Sequence, residues 1–279
     1  MDDRGWRYYN HALIPTCAPH EVPNIAELDQ QELWKEGRPL LARWTTDFDR
    51  DSETDWWYCI CDRPFDLTAL KSKRRNVIRN ALKYCEVSVC DPIGYEDELL
   101  EVFNAVQRTY PAANRQLTDK DAFHRYLEGL RADGDTQFFL CFLKESGIVA
   151  GYAIVKDFGS YCEYQVQKVS PDYEKYQTNA ALAHAILAHF ADRLQDDFYI
   201  CDGARNINHA TNFQSYLEKY FGFRKAYCTL HIRYRGAVKA MVVLLYPFRK
   251  VLKKHDGARL FHQLNGVLTM EEYRRKMNE

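Results

Sequence analysis

The sequence predicts an α/β protein: a mixed, mostly antiparallel central sheet flanked by helices, preceded by an irregular N-terminal extension. Three observations carry this. Between residues 137 and 169 three apolar runs of strand length follow one another, with a tight turn at Glu145-Ser146-Gly147, as antiparallel pairing requires. On both sides stand stretches whose apolar residues recur at helical spacing. The first fifty residues instead hold Pro15, Pro19, Pro23, Gly37 and Pro39 among large aromatics, which interrupts regular elements.

Each element follows from its own residues. Residues 56–61 (WWYCIC) are aromatic and rich in strand formers, and Pro64 ends that strand. Asp66 or Thr68 caps a helix whose apolar side is Leu67, Leu70, Val77, Ile78, Ala81 and Leu82. Residues 86–90 (EVSVC) form a strand. Helices over 95–110 and 121–130 turn Leu99, Leu100, Phe103 and Val106, then Phe123, Tyr126, Leu127 and Leu130, inward. Strands 137–143, 148–156 and 161–169 come next, and Ser170-Pro171-Asp172 starts a long helix through Leu194. Then come a strand at 197–201, a polar loop at 202–206, a helix at about 212–220 and a strand at 226–234. A turn at Arg235-Gly236 leads into a last strand, 238–246. Its apolar run, AMVVLLYP at 240–247, is too short to span a bilayer and reads as a buried strand. A basic C-terminal helix and tail close the chain. The expected division is an extension packed on the core (1–55), a main domain (56–250) and the basic tail (251–279).

Composition narrows the function classes. The chain has 279 residues, 46% hydrophobic and 14% aromatic, which is globular rather than disordered composition. Its 38 basic and 39 acidic residues give a net charge of −1, so a polyanion partner must be met by a local patch. Nine cysteines are scattered without a disulfide framework or metal-ligand spacing, and no metal site is expected. His184 and His189, five apart, share no ligating helix face. Largely reduced thiols and an N-terminus unlike a signal or transit peptide lead us to expect a cytoplasmic protein without a membrane span.

One local patch exists. Residues 71–83 hold six bases (Lys71, Lys73, Arg74, Arg75, Arg79 and Lys83) and no acid. Surface helices usually mix signs to gain i,i+4 pairs. The bases are therefore a solvated face, a match for acidic residues such as those between Asp47 and Asp55, or a site for a phosphate-bearing ligand. Lys73, Arg74 and Arg75 are best placed for phosphate, because first-turn amides add to their charge.

The order of antiparallel strands, long helix, strand, helix ending in Gly-Phe and final strand pair resembles the GNAT acyltransferase fold. VSPDYEKYQTNAALAHAILAHF (169–190) sits where that fold has its donor-binding strand-to-helix junction. TNFQSYLEKYFGFRKAY (211–227) resembles its helix with an early Asn and a terminal aromatic-x-Gly-Phe, at slightly different spacing. The KxxRRNxIRxxxK helix with a short valine-rich strand behind it resembles the Fem-like branch, which holds peptidoglycan aminoacyltransferases. The likeness covers roughly 56–250.

The resemblance implies N-acyl or aminoacyl transfer from a phosphate-bearing donor, acyl-CoA or aminoacyl-tRNA, with no permanently bound cofactor. The acceptor would be a small amine, an amino sugar or a peptide amine, with tRNA a partner on the aminoacyl reading. A non-catalytic ligand-binding module is the alternative from another class. In this fold the donor lies along the third serial strand, and its phosphates meet the start of the long helix, an anion site by virtue of unpaired amides. Here that junction, 174–180, has no glycine. Gln177, Thr178 and Asn179 offer polar groups there, and Lys175 a charge.

Glu163 on the third strand is the candidate general base, or else a salt-bridged strand carboxylate. Tyr216 and Tyr220 are candidate general acids, or else core tyrosines. The loop after strand 197–201 follows the carboxyl end of a buried strand, where open α/β sheets bind ligands. Its Asp202, Arg205, Asn206 and His209 are candidate substrate-binding residues. Otherwise Asp202 and Asn206 hold turns while Asn208 or Thr211 caps the next helix.

Overall fold

The computed structural model describes residues 5–112, 115–195, 197–207, 212–255 and 259–277. The chain divides into two compact units. Met1–Tyr58, Ala204–Thr211 and Lys225–Glu279 make the first; Cys59–Gly203 and Asn212–Arg224 make the second.

In the first unit, β1 (Trp6–Tyr9), β2 (Ala12–Pro15), β3 (Leu41–Thr46) and β11 (Thr229–Tyr234) form a sheet in that order. A tight turn joins β1 to β2, with Asn10 and His11 both at positive φ (45° and 64°), the conformation that matches strand twist. Strand alternation then gives the sheet two apolar faces. Leu13 and Ala42 pack with Trp6, Leu28 and Leu33, while Ala12 and Leu41 pack with Val238, Val242, Val267 and Leu268. The N-terminal segment thus holds more regular structure than its prolines suggest.

The expected strand 238–246 is instead α6 (Gly236–Leu245), and Arg235 is its cap residue rather than a turn. A continuous apolar run does not distinguish a strand from a helix by periodicity. Among its residues Val238 and Val242 are buried, four apart, and Ala240, Met241, Leu244 and Leu245 favour helix. The expected strand 226–234 splits at Cys228 into β10 (Arg224–Tyr227) and β11. Beyond α6 come α7 (Arg249–Leu252) and α8 (Arg259–Lys276).

The second unit contains β4 (Trp57–Cys61), α1 (Ser72–Tyr84), β5 (Cys85–Val89), α2 (Glu96–Thr109) and α3 (Lys120–Arg131). It continues with β6 (Thr136–Leu143), β7 (Val149–Asp157), β8 (Tyr161–Val169), α4 (Thr178–His189), β9 (Tyr199–Ala204) and α5 (Phe213–Tyr220). Its sheet runs β4-β9-β8-β7-β6-β5. β5 to β8 pair antiparallel in sequence, and β8 pairs β9 in parallel. Phe138, Leu140, Tyr152 and Ile154 meet Leu99 and Val102 of α2 and Phe123 and Leu127 of α3. Phe139, on the alternate face, meets His189 of α4.

The expected long helix from 170 to 194 is broken. A 3-10 segment, Pro171–Tyr176, leads to Gln177 in the left-handed region (φ 60°), and α4 starts afresh at Thr178. Asp66 caps the 3-10 turn Leu67–Ala69 by accepting from the Thr68 amide at 2.7 Å. α1 begins later, without a side-chain cap.

Candidate functional site

The site begins where two strands part. β8 pairs β9 through Tyr161, Cys162 and Glu163, opposite Tyr199, Ile200 and Cys201. β8 continues to Val169 along β7, but its ladder with β9 stops at Glu163. Gln165 is skipped in the register between Tyr164 and Val166, a bulge that bends the strand and sharpens its twist. The edge of β8 beyond Glu163 therefore offers backbone groups to an extended ligand, as unpaired strand edges do.

Beyond its last pairing with β8 at Cys201, β9 carries Asp202 and Gly203 beside this gap, the latter at φ +87°. Burial pushes the Asp202 carboxyl up; a hydrogen bond from Gln214 opposes that, and the charge of Glu163 reinforces it, to about 7. Charge–charge repulsion and desolvation both favour the neutral acid. Glu163 itself keeps some exposure and accepts from Gln165 Nε2 at 3.1 Å. The Tyr164 hydroxyl is raised well above its usual range, by burial and then by Asp202 and Tyr216. Burial raises Tyr216 to about 12, partly opposed by Arg74.

α5 supplies an aromatic wall. The Tyr216 ring lies 6.1 Å from Phe213, 5.5 Å from Tyr220 and 5.4 Å from Phe221, and Phe213 meets Tyr164 edge-on at 5.7 Å. The Arg74 guanidinium sits 3.0 Å from the Tyr220 ring centroid, a cation–π contact. A hydrogen bond from Lys219, with Arg74 nearby, holds the Tyr220 hydroxyl below its ordinary value.

A side-chain chain ties β8 to α4. The Tyr164 hydroxyl donates to Gln167 Oε1, and Gln167 Nε2 donates to Asn179 Oδ1 at 2.7 Å. The Asn179 side chain is thereby committed to holding the strand against the helix. Thr178 is buried, its Oγ1 donating to the Tyr173 carbonyl at 3.1 Å. Gln177 and Lys175 remain exposed. Gln177 takes the left-handed conformation usually left to glycine, so the junction turns sharply without one.

The bases of α1 divide in use. Arg74 is taken by Tyr220, and Arg75 Nη1 donates to the Thr68 carbonyl at 2.9 Å. Lys73 is exposed. Among the described residues no ion pair engages any of the six. α1 packs against α4 and the Pro171–Tyr176 segment, so its charge lies near the start of α4.

The structure thus brings Glu163, Asp202, Tyr216, Tyr220, Arg74 and the 175–179 junction into one unit. Arg205 and Asn206 belong to the other. There the Arg205 guanidinium donates to the Asp55 carbonyl at 2.6 Å and its carboxylate at 3.3 Å, and lies over the Tyr273 ring. Asn206 is exposed. His209, with Asn208 and Thr211, lies outside the described residues. Sequence reasoning missed Tyr164, Gln167 and Gln214. The available signal was Gln167, a half-buried amide in a strand with a buried face, since amides withdrawn from water need partners.

No family model matches the chain, and no curated protein matches it in sequence. Its architecture is similar to that of FemX, which is 14% identical at a TM-score of 0.52, over 79% of this chain and 78% of that one. L-PGS from Bacillus licheniformis is 11% identical at a TM-score of 0.50, over 86% of this chain and 83% of that one. A tandem GNAT protein from the clavulanic acid biosynthesis pathway is 11% identical at 0.42, over 80% and 75%. With parted strands and a helix starting at their mouth, the chain has a GNAT-like fold, the α/β arrangement it shares with FemX and L-PGS.

Proposed function

We propose that the protein moves an acyl or aminoacyl group from a phosphate-bearing donor to an amine, in the gap between β8 and β9. The observation that carries this reading is the Asp202 carboxyl, held at about 7 where the two strands part. A base with that value is half ionised at neutral pH and still strong enough to take a proton, the best compromise for general-base catalysis.

The donor would lie along the free edge of β8, its phosphates toward the first amides of α4 with Lys73 and Lys175 near. The amine attacks the donor carbonyl carbon and forms the new C–N bond. Asp202 takes the ammonium proton, with Glu163 holding its basicity up. The C–O or C–S bond then breaks, and Tyr216 protonates the leaving group. At about 12, Tyr216 keeps its proton at neutral pH. It matches an alkoxide leaving group better than a thiolate, whose conjugate acid is far stronger. That matching, and the committed Thr178 and Asn179 side chains, favour an ester donor such as aminoacyl-tRNA over acyl-CoA.

Single-turnover transfer to a panel of amines, with aminoacyl-tRNA and with acyl-CoA as donors, tests this directly. We expect product with the ester donor and its loss in Asp202→Asn. Full activity in Asp202→Asn would remove the proposed base. Transfer with acyl-CoA alone would overturn the donor assignment and leave the base intact.

A further inference from the structure

The stretch from Gly236 to Lys254 is unlike the rest of the surface. It contains five bases (Lys239, Arg249, Lys250, Lys253 and Lys254) and no acidic residue. It is also strongly apolar, yet α6 buries only Val238 and Val242 among its large side chains. Met241 is 36% exposed, Leu244 69%, Phe248 61% and Val251 58%. These four follow one another at spacings of three, four and three, so they share one side of the helical run formed by α6, the turn Tyr246–Phe248 and α7. A helix apolar on most sides is normally covered, and contiguous apolar surface of this kind marks a binding face.

The bases decide what covers it. Lys239, Lys250, Lys253 and Lys254 are all exposed and lie in the same turns as the apolar row. Beside them, a cavity of about 230 Å³ is lined by Arg249, Lys250, Lys253, Asn265, Thr269 and Glu272. There Arg249 is held by Glu272, its Nε buried 3.6 Å from that carboxylate, which leaves the exposed lysines to meet a partner. An acidic protein would answer the bases but gain little from bare aliphatic side chains. A nucleic acid backbone would gain nothing from Leu244 or Val251. Anionic phospholipid answers both, since its headgroups meet cations at the level where apolar side chains enter the acyl region. No helix among the described residues is long and apolar enough to cross a membrane.

We propose that residues 236–254 seat the protein on an anionic phospholipid surface, the Met241–Leu244–Phe248–Val251 row entering the acyl boundary and the lysines meeting phosphate headgroups. The segment lies in the plane of the membrane and holds by two signals together, shallow apolar insertion and charge.

Flotation of the full chain with phosphatidylglycerol–phosphatidylcholine vesicles, and with phosphatidylcholine alone, tests this. Roughly tenfold more protein should float with the anionic vesicles, falling as salt rises. Leu244→Ser with Phe248→Ser, and separately Lys250→Glu with Lys253→Glu, should each abolish flotation. Because all four side chains are exposed, both variants should keep the wild-type melting temperature. No flotation with anionic vesicles, or flotation that both variants retain, would overturn the proposal. So would a homodimer that Leu244→Ser with Phe248→Ser dissociates, because a second copy would then be the cover. RNA binding that Lys250→Glu with Lys253→Glu abolishes, with no binding to vesicles, would assign the face to nucleic acid instead.

Discussion

Asp202 and Glu271 are both carboxylates drawn away from water, and the protein treats them in opposite ways. Burial raises both. At Glu271, hydrogen bonds from Arg274, Arg275 and Tyr234 then overwhelm it and bring the carboxyl to about 2. At Asp202 the opposing hydrogen bond comes from a neutral amide, Gln214, and the nearby charge is another carboxylate, so the value stays at about 7. A buried acid given cations is a structural clamp. A buried acid denied them keeps its proton within reach at neutral pH, which is the property a catalytic base needs.

The largest effect that could break this contrast is on transfer. Asp202→Asn should lower the single-turnover rate by about 10²- to 10⁴-fold, and in the wild type that rate should rise with pH through about 7 as the base ionises. Next is the clamp. Glu271→Gln should cost about 2–3 kcal/mol in urea unfolding at pH 7. Because the folded value lies below the ordinary 4.5, that stability is present above pH 4.5 and disappears as pH falls through about 2.

Asp202 should do the reverse. Its folded value lies above the ordinary 3.8, so its contribution is fully present below pH 3.8 and is lost as pH rises through about 7. Asp202→Asn should therefore stabilise the protein by about 1–2 kcal/mol at pH 8, discounted for the residue's partial exposure, with no gain at pH 4. The smallest effect sharpens the cause. Glu163→Gln removes a like charge, and the midpoint of the pH–rate profile should move down by about half a unit. No movement would leave burial as the sole cause.

Much of the second unit was legible from sequence because its elements have one clear period each. The alternating faces of β6 to β8 and the helical spacing in α2 and α3 could be read residue by residue. The run at 238–246 was not legible, since unbroken apolarity carries no period and its exposed row only exists once the helix forms. Asp202 could be picked as a residue at the end of a buried strand, but its role depends on Glu163 and Gln214, which lie 39 residues before it and 12 after. Arg205, three residues on, was read into the same loop, yet it turns to Asp55. Neighbours in sequence diverge wherever a strand crosses from one unit to the other, and no local pattern announces that.

The pairing of β3 with β11 bears on how the chain is made. Thr46 on β3 meets His231 on β11 across a separation of 185 residues. During synthesis, β3 must wait for its partner while residues 47–228 between them are translated, whereas β5 to β8 find theirs within a few tens of residues. Long-range pairs form late because the intervening loop must first be closed. The second unit should therefore be protease-resistant on a stalled nascent chain while residues 6–46 are still being cut. Throughout that interval β3 has an open edge, the kind of template that invites mispairing between chains. Slow translation before Thr229 would lengthen that exposure, and with it the time the chain depends on a chaperone.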